Sequence, residues 1–275
     1  MSDKKGKMNK KEVLKIIGIT AVTVILVCML ISAFLMGALG GVGPFSFVKE
    51  MRLEKMEGNA EQYHLEETAV LEDSPLEGKN LCFLGSSVTE GASSLHVSFA
   101  DYIAKRNSCD YVKEAVGGTT LVDNGENSYI QRMLGNISTD EEFDAFICQL
   151  STNDAQKDFP LGNISKSKDQ NDFDTSTIIG AMEYIISYAQ ETWDCPVVFY
   201  TGTKFDSGLY AEMVDSLYEL QDKWGIYVID LWNGLDTEIE EYDLYMADHI
   251  HPTQAGYLEW WTPFMEEQLY EICAD

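Results

Sequence analysis

Four short segments of this chain carry side chains suited to nucleophilic chemistry. They are GSSVTEG at 85–91, AVGGTT at 115–120, QLSTND at 149–154 and DHIHP at 248–252. Brought together, they would supply a hydroxyl nucleophile, N–H donors for a developing oxyanion and a base to take the proton of the hydroxyl. This combination performs acyl transfer.

The last segment is the best source of a base. Asp248 lies three residues before His251, so its carboxylate can turn back to the imidazole Nδ1–H and leave Nε2 free for a serine proton. The chain has only 4 His, which leaves few other candidates. A surface loop with two solvated histidines would also explain this segment.

The other three segments also have plainer explanations. The small residues at 85–91 allow a tight turn from a strand into a helix, with a hydroxyl beside the first helical N–H groups, but Ser is also a common helix cap. The glycine pair at 117–118 lets the backbone approach a ligand or simply turn. Asn153 could aim its amide at an oxyanion, or cap a helix with Asp154.

In order and spacing, the four segments resemble the blocks of the SGNH hydrolases, also called the GDSL-like lipase/esterase superfamily. GSSVTEG is similar to GDSxTxG and implies that Ser87 is the nucleophile. The second and third blocks imply that Gly118 and Asn153 complete an oxyanion hole with the Ser87 N–H. DHIHP matches DxxHP and implies Asp248 and His251 as the other catalytic residues. The resemblance runs from about residue 80 to the C-terminus.

Two positions depart from the family pattern. Ser86 stands where the family has Asp, and Ser151 stands where the third block has Gly. Two adjacent serines make the nucleophile ambiguous; the TxG spacing selects Ser87 and leaves Ser86 as the second choice. His249 could replace His251 only if the loop register shifted.

Strand and helix patterns alternate around these segments. Predicted strands cover 80–85, 111–116, 143–150, 196–200 and 226–231, and predicted helices cover 93–106, 128–134, 175–192, 209–224 and 253–272. This order is typical of an α/β domain with a mostly parallel sheet covered on both faces. The resemblance implies three flavodoxin-like layers. Ligands bind at the carboxyl ends of such strands, where the first three segments fall.

The N-terminal part predicts a membrane anchor. Residues 16–39 form an apolar run of roughly 36 Å as a helix, enough to cross a bilayer. Six Lys lie within residues 1–15, which predicts a basic cytoplasmic tail there and an extracytoplasmic body. We therefore expect an anchor at 16–39, a stalk at 40–77 and the hydrolase domain at 78–275. The alternative is a signal peptide cleaved near Ala38-Leu39-Gly40, which would make the protein secreted.

Composition excludes other classes of function. The chain carries 46 Asp and Glu against 19 Lys and Arg, so nucleic-acid phosphates would be repelled. No CxxC pair or His/Cys spacing indicates a metal site, and the expected chemistry needs no cofactor. Five of the 6 Cys follow the apolar run, an odd number at irregular spacing that does not indicate a disulfide framework.

The resemblance, together with the predicted anchor, implies an extracytoplasmic serine esterase, and the substrates of the family suggest its target by analogy. We expect it to remove an O-acyl group, an acetyl group in particular, from a cell-surface or dietary polysaccharide. Acyl transfer to a sugar hydroxyl uses the same residues and stays an alternative. A non-catalytic carbohydrate-binding or scaffold domain is a second alternative, because Ser86 replaces the family Asp.

Overall fold

The computed structural model describes residues 9–41 and 43–274, so most of the predicted basic tail lies outside the described residues. The described chain forms two compact units that divide between Lys55 and Met56. The first unit contains helices α1 (Lys10–Gly40) and α2 (Phe47–Leu53). Helix α1 is long and apolar enough to cross a membrane, which fits the predicted anchor and also a signal sequence.

The second unit is an α/β domain. Its strands are β1 (Asn80–Gly85), β2 (Asp110–Ala115), β3 (Ala145–Gln149), β4 (Val197–Tyr200) and β5 (Tyr227–Ile229). Its helices are α3 (Ser87–Glu90), α4 (Phe99–Asn107), α5 (Tyr129–Asn136), α6 (Thr152–Gln156), α7 (Ile178–Trp193), α8 (Gly208–Trp224), α9 (Leu231–Gly234), α10 (Tyr242–Tyr245) and α11 (Thr262–Ile272). A π-helical turn, Gly256–Trp261, leads into α11.

The five strands form one parallel sheet in the order β2-β1-β3-β4-β5. Apolar side chains alternate between its faces: Cys82 and Leu84 pack with α5, α7 and α8, whereas Leu81 and Phe83 pack with α4 and α11. The predicted three-layer α/β fold is confirmed. The chain runs from β1 to β2 on one side of it and then crosses to β3 on the other side, so the carboxyl ends of β1 and β3 form the switch point where such sheets bind ligands.

One predicted helix is wrong at its start. Residues 93–98 form turns, with left-handed backbone at Leu95 (φ 57°) and His96 (φ 64°), and α4 begins only at Phe99. Ser98 explains the late start, since its backbone N–H and its hydroxyl both donate to Asp101 Oδ2, at 2.7 and 3.1 Å. This reciprocal cap fixes the first turn of α4.

Residues 56–77 of the predicted stalk lie in the same compact unit as the α/β domain, which runs from Met56. Three single-turn 3₁₀ helices cover Glu57–Asn59, Glu61–Tyr63 and Leu65–Glu67. Asn59 is buried; its amide donates to Ser93 O (3.0 Å) and its Oδ1 accepts the Gln254 N–H (2.9 Å). Hydrogen bonds of a polar residue therefore help to hold this acidic segment to the domain.

All 6 cysteines carry free thiols. Cys82, Cys109, Cys148 and Cys273 are buried and Cys195 is half-buried. Burial raises the pKa of Cys109 to about 12 and that of Cys195 to about 11. These sulfur atoms act as small core side chains, protonated at neutral pH.

Candidate active site

Two consecutive serines follow the carboxyl end of β1, and their hydroxyl groups point in different directions. Ser86 is fully buried and its hydroxyl donates to Gln149 Oε1 (3.3 Å). Ser87 opens α3, and its Oγ lies 2.8 Å from His251 Nε2. The turn thus separates the two candidates: one hydroxyl enters the core and the other meets an imidazole.

His251 is held by a carboxylate on its far side. Its Nδ1 lies 2.9 Å from Asp248 Oδ2 and 3.0 Å from Oδ1, which favours the tautomer with the proton on Nδ1. Asp248 also accepts the backbone N–H groups of Ile250 (2.8 Å) and His251 (2.9 Å). Nε2 is then free to accept the Ser87 proton.

The electrostatics of Asp248 suit this role. Burial alone would raise the pKa of Asp248, but the His251 ring and the two backbone N–H donors outweigh it and hold that pKa well below its usual range. The carboxylate therefore stays ionised at neutral pH and can stabilise an imidazolium on His251. His249 is exposed, and its ring centroid lies 6.3 Å from that of Phe205.

The Gly117–Gly118 turn passes directly beside Ser87. A Cβ built on Gly117 would lie 3.6 Å from Ser87 Cβ and 2.9 Å from Glu90 Oε2. Gly118 has the left-handed φ of +78°, which glycine adopts without strain. Its carbonyl accepts Lys157 Nζ (2.8 Å). The turn therefore runs close enough to Ser87 for a backbone N–H to face the same bound oxygen.

Helix α6 brings the third segment to this turn. Asn153 Nδ2 donates to Thr119 O (3.0 Å), so one N–H of the amide is occupied by the turn itself. Buried Asp154 accepts the Leu121 N–H (2.8 Å) and the Val122 N–H (3.0 Å). Burial raises the pKa of Asp154, against the lowering effect of these bonds. Asn153 and Asp154 together fix the segment that follows Gly118.

Gln149 is a residue of the site that the motif comparison missed. Its Oε1 accepts the Ser86 N–H (2.8 Å) and the Thr89 hydroxyl (2.8 Å), so it holds both ends of the turn that carries Ser87. A Cβ on Gly85 would lie 1.7 Å from Thr89 Oγ1, so only glycine fits there. The sequence feature that could have indicated its role is that Gln149 is the only amide side chain in the predicted strand FDAFICQL.

The fold and the site together define a hydrolase of the SGNH class. The sequence matches the model of the GDSL-like lipase/acylhydrolase family over residues 83–258, more than half of its length. The chain belongs to this family.

Solved structures share the fold at low sequence identity. A protein from Lactobacillus plantarum is 20% identical, with a TM-score of 0.58 over 70% of this chain and 96% of that one. A protein from Bacteroides ovatus, described as a GDSL-like lipase, is 16% identical (TM-score 0.55; 71% and 99% covered). A possible lipase from Chitinophaga pinensis is 15% identical (TM-score 0.54; 72% and 100% covered). The search of curated proteins finds no match.

Proposed function

We propose that this hydrolase is a serine esterase with Ser87 as nucleophile, His251 as base and Asp248 as the group that orients and stabilises His251. The hydrogen-bonded series from Ser87 Oγ through His251 to Asp248, at 2.8 and 2.9 Å, is the observation that carries the proposal. Residues 164 positions apart make the first of these contacts, so local structure does not account for it.

In the first step His251 Nε2 takes the Ser87 proton while Oγ bonds to the ester carbonyl carbon. The negative charge moves to the carbonyl oxygen, where the N–H groups of Ser87 and Gly118 and the second N–H of Asn153 receive it. The imidazolium gives its proton to the departing alcohol oxygen as the C–O bond breaks. Water then repeats the sequence on the acyl-enzyme and releases the acid.

The surroundings of Ser87 favour a small, uncharged acyl group. The Glu90 carboxylate borders the Gly117 turn, since a Cβ on Gly117 would lie 2.9 Å from Glu90 Oε2, and there it would oppose an anionic acyl group or a long apolar chain. An acetyl ester satisfies both conditions. We propose an acetylated cell-surface or dietary polysaccharide as the substrate, reached by a catalytic domain that α1 anchors outside the cytoplasm.

Paired variants test the nucleophile and the base. Ser87→Ala should abolish hydrolysis of p-nitrophenyl acetate and labelling by an organophosphonate, because no other hydroxyl among the described residues is bonded to His251. Ser86→Ala should still be labelled, since its hydroxyl faces Gln149. His251→Ala should lose hydrolysis and His249→Ala should keep it. A labelled Ser87→Ala protein would show that another residue is the nucleophile.

An acetylated oligosaccharide distinguishes hydrolysis from transfer. Release of free acetate at the rate of ester loss supports the esterase. Acetate recovered on a second sugar, with little released to water, would instead identify an acyltransferase on the same residues.

A further inference from the structure

Arg132 is a buried cation whose side chain is only 3% exposed. It lies on α5, outside the four segments that resemble the family blocks. Its five contacts are Nε to Asn127 O (3.1 Å), Nη1 to Glu114 O (3.1 Å) and Glu114 Oε1 (2.9 Å), and Nη2 to Gly85 O (2.7 Å) and Thr119 Oγ1 (3.0 Å). A guanidinium has five N–H donors, so each one has an acceptor.

The two contacts of Nη2 join the segments that carry the proposed oxyanion donors. Gly85 lies two residues before Ser87, and Thr119 directly follows Gly118. Thr119 Oγ1 in turn donates to Val116 O (2.6 Å), which closes the turn on itself. One planar group therefore sets the spacing between the end of β1 and the glycine turn.

We propose that Arg132 is a positioning residue for the oxyanion hole, an inference that rests on the proposed esterase function. The N–H groups of Ser87 and Gly118 belong to different segments, and a displacement of about 1 Å between catalytic groups can slow a reaction roughly a hundredfold. The Glu114 carboxylate pairs with the charge of Arg132, so the guanidinium acts through geometry. Lysine keeps the charge but lacks the planar fork that reaches both acceptors.

Arg132→Lys in the full-length protein in detergent tests this role. We expect kcat for p-nitrophenyl acetate to fall about tenfold or more, with KM changed less than about twofold, because substrate binding does not need the aligned donors. Affinity for a boronic acid, which forms a tetrahedral anion on serine, should fall by a similar factor. A purely structural arginine would lower the melting temperature without this selective loss.

Arg106→Lys is the matched control. Arg106 is also largely buried, and it makes three hydrogen bonds to Glu266, away from both segments. This variant should lose stability and keep kcat.

Thr119→Val provides a second test if Arg132→Lys does not fold. It removes the hydroxyl that Arg132 reaches, together with the bond from that hydroxyl to Val116 O, and leaves the contact with Gly85 intact. We expect the same selective loss of kcat and of boronic acid affinity. Folded variants with wild-type kcat and affinity, beside an active wild type, would overturn the positioning role alone. A wild type without esterase activity would remove the proposed function and the positioning role together.

Discussion

Asn153 uses one of its two amide N–H groups to hold the turn that it is proposed to assist, through the bond to Thr119 O at 3.0 Å. Asn153→Ala should therefore remove an oxyanion donor and loosen the turn. Loss of one such donor raises the barrier by about 2.7–4 kcal/mol, so kcat for p-nitrophenyl acetate should fall about a hundredfold or more. Exposed Asn163→Ala is the control, with unchanged turnover expected. Wild-type rates in Asn153→Ala would remove Asn153 from the mechanism.

At the scale of residues, the sequence predicted best those side chains that belong to one of the four family motifs. The order of the four segments predicted that Ser87, His251 and Asp248 would meet, and the structure brings them together. Their catalytic roles stay predictions. The choice of Ser87 over Ser86 rested on motif spacing alone, because Gln149, the acceptor that turns Ser86 inward, lies 63 positions along the chain.

Arg132 could not be predicted as a bridging residue for a similar reason. It is the only charged residue in the predicted helix 128–134, which hints at a specific partner. Three of its five acceptors, on Gly85, Glu114 and Asn127, are backbone carbonyls, which any sequence provides. Because every residue has a backbone carbonyl, no residue type in the sequence marks these positions as partners of an arginine.

At the scale of elements, buried strands were predicted well and a polar connection was not. β1 matches its predicted range of 80–85 at both ends, because a continuous apolar run ending in Gly marks a buried parallel strand. The helix predicted at 93–106 began too early because Leu95 has helical spacing to Phe99 and Tyr102. Hydrophobic periodicity does not reveal the left-handed residues that precede Ser98.

Residues 56–63 brace the loop that carries His251, and their removal tests the domain boundary. Asn59 bonds Gln254, Tyr63 O accepts Tyr102 Oη (2.6 Å), and a Cβ on Gly58 would lie 2.2 Å from Leu244 O. A chain beginning at Gly78 should be less stable than one beginning at Met56 by about 3–5 kcal/mol, since these bonds and buried apolar contacts are lost.

Urea unfolding of the two shortened chains measures this difference in the free energy of unfolding. Both chains lack α1, so they differ only in residues 56–77. Hydrolysis should also slow in the shorter chain, because the His251 loop loses its support. Equal unfolding midpoints would show that residues 56–77 do not stabilise the domain, as expected of a stalk.

At the scale of the whole molecule, the described chain has two compact units. We propose that the first anchors the protein and that the second carries the active site. If α1 spans the membrane with its N-terminus inside, the protein should stay with membranes after a high-salt wash and need detergent for release. Protease added to intact spheroplasts should degrade the catalytic domain. A shorter soluble form in the medium would instead indicate a cleaved signal sequence, and full protection from protease would place the domain in the cytoplasm.

The free cysteines determine whether the folded domain depends on disulfide formation. Among the described residues no disulfide joins distant parts of the chain, so the folded domain is held by packing and hydrogen bonds. The Cys273 thiol, with its pKa raised to about 11 by burial, offers little thiolate to peroxide or alkylating agents. Hydrolysis should therefore be as fast with a thiol reductant present as without one.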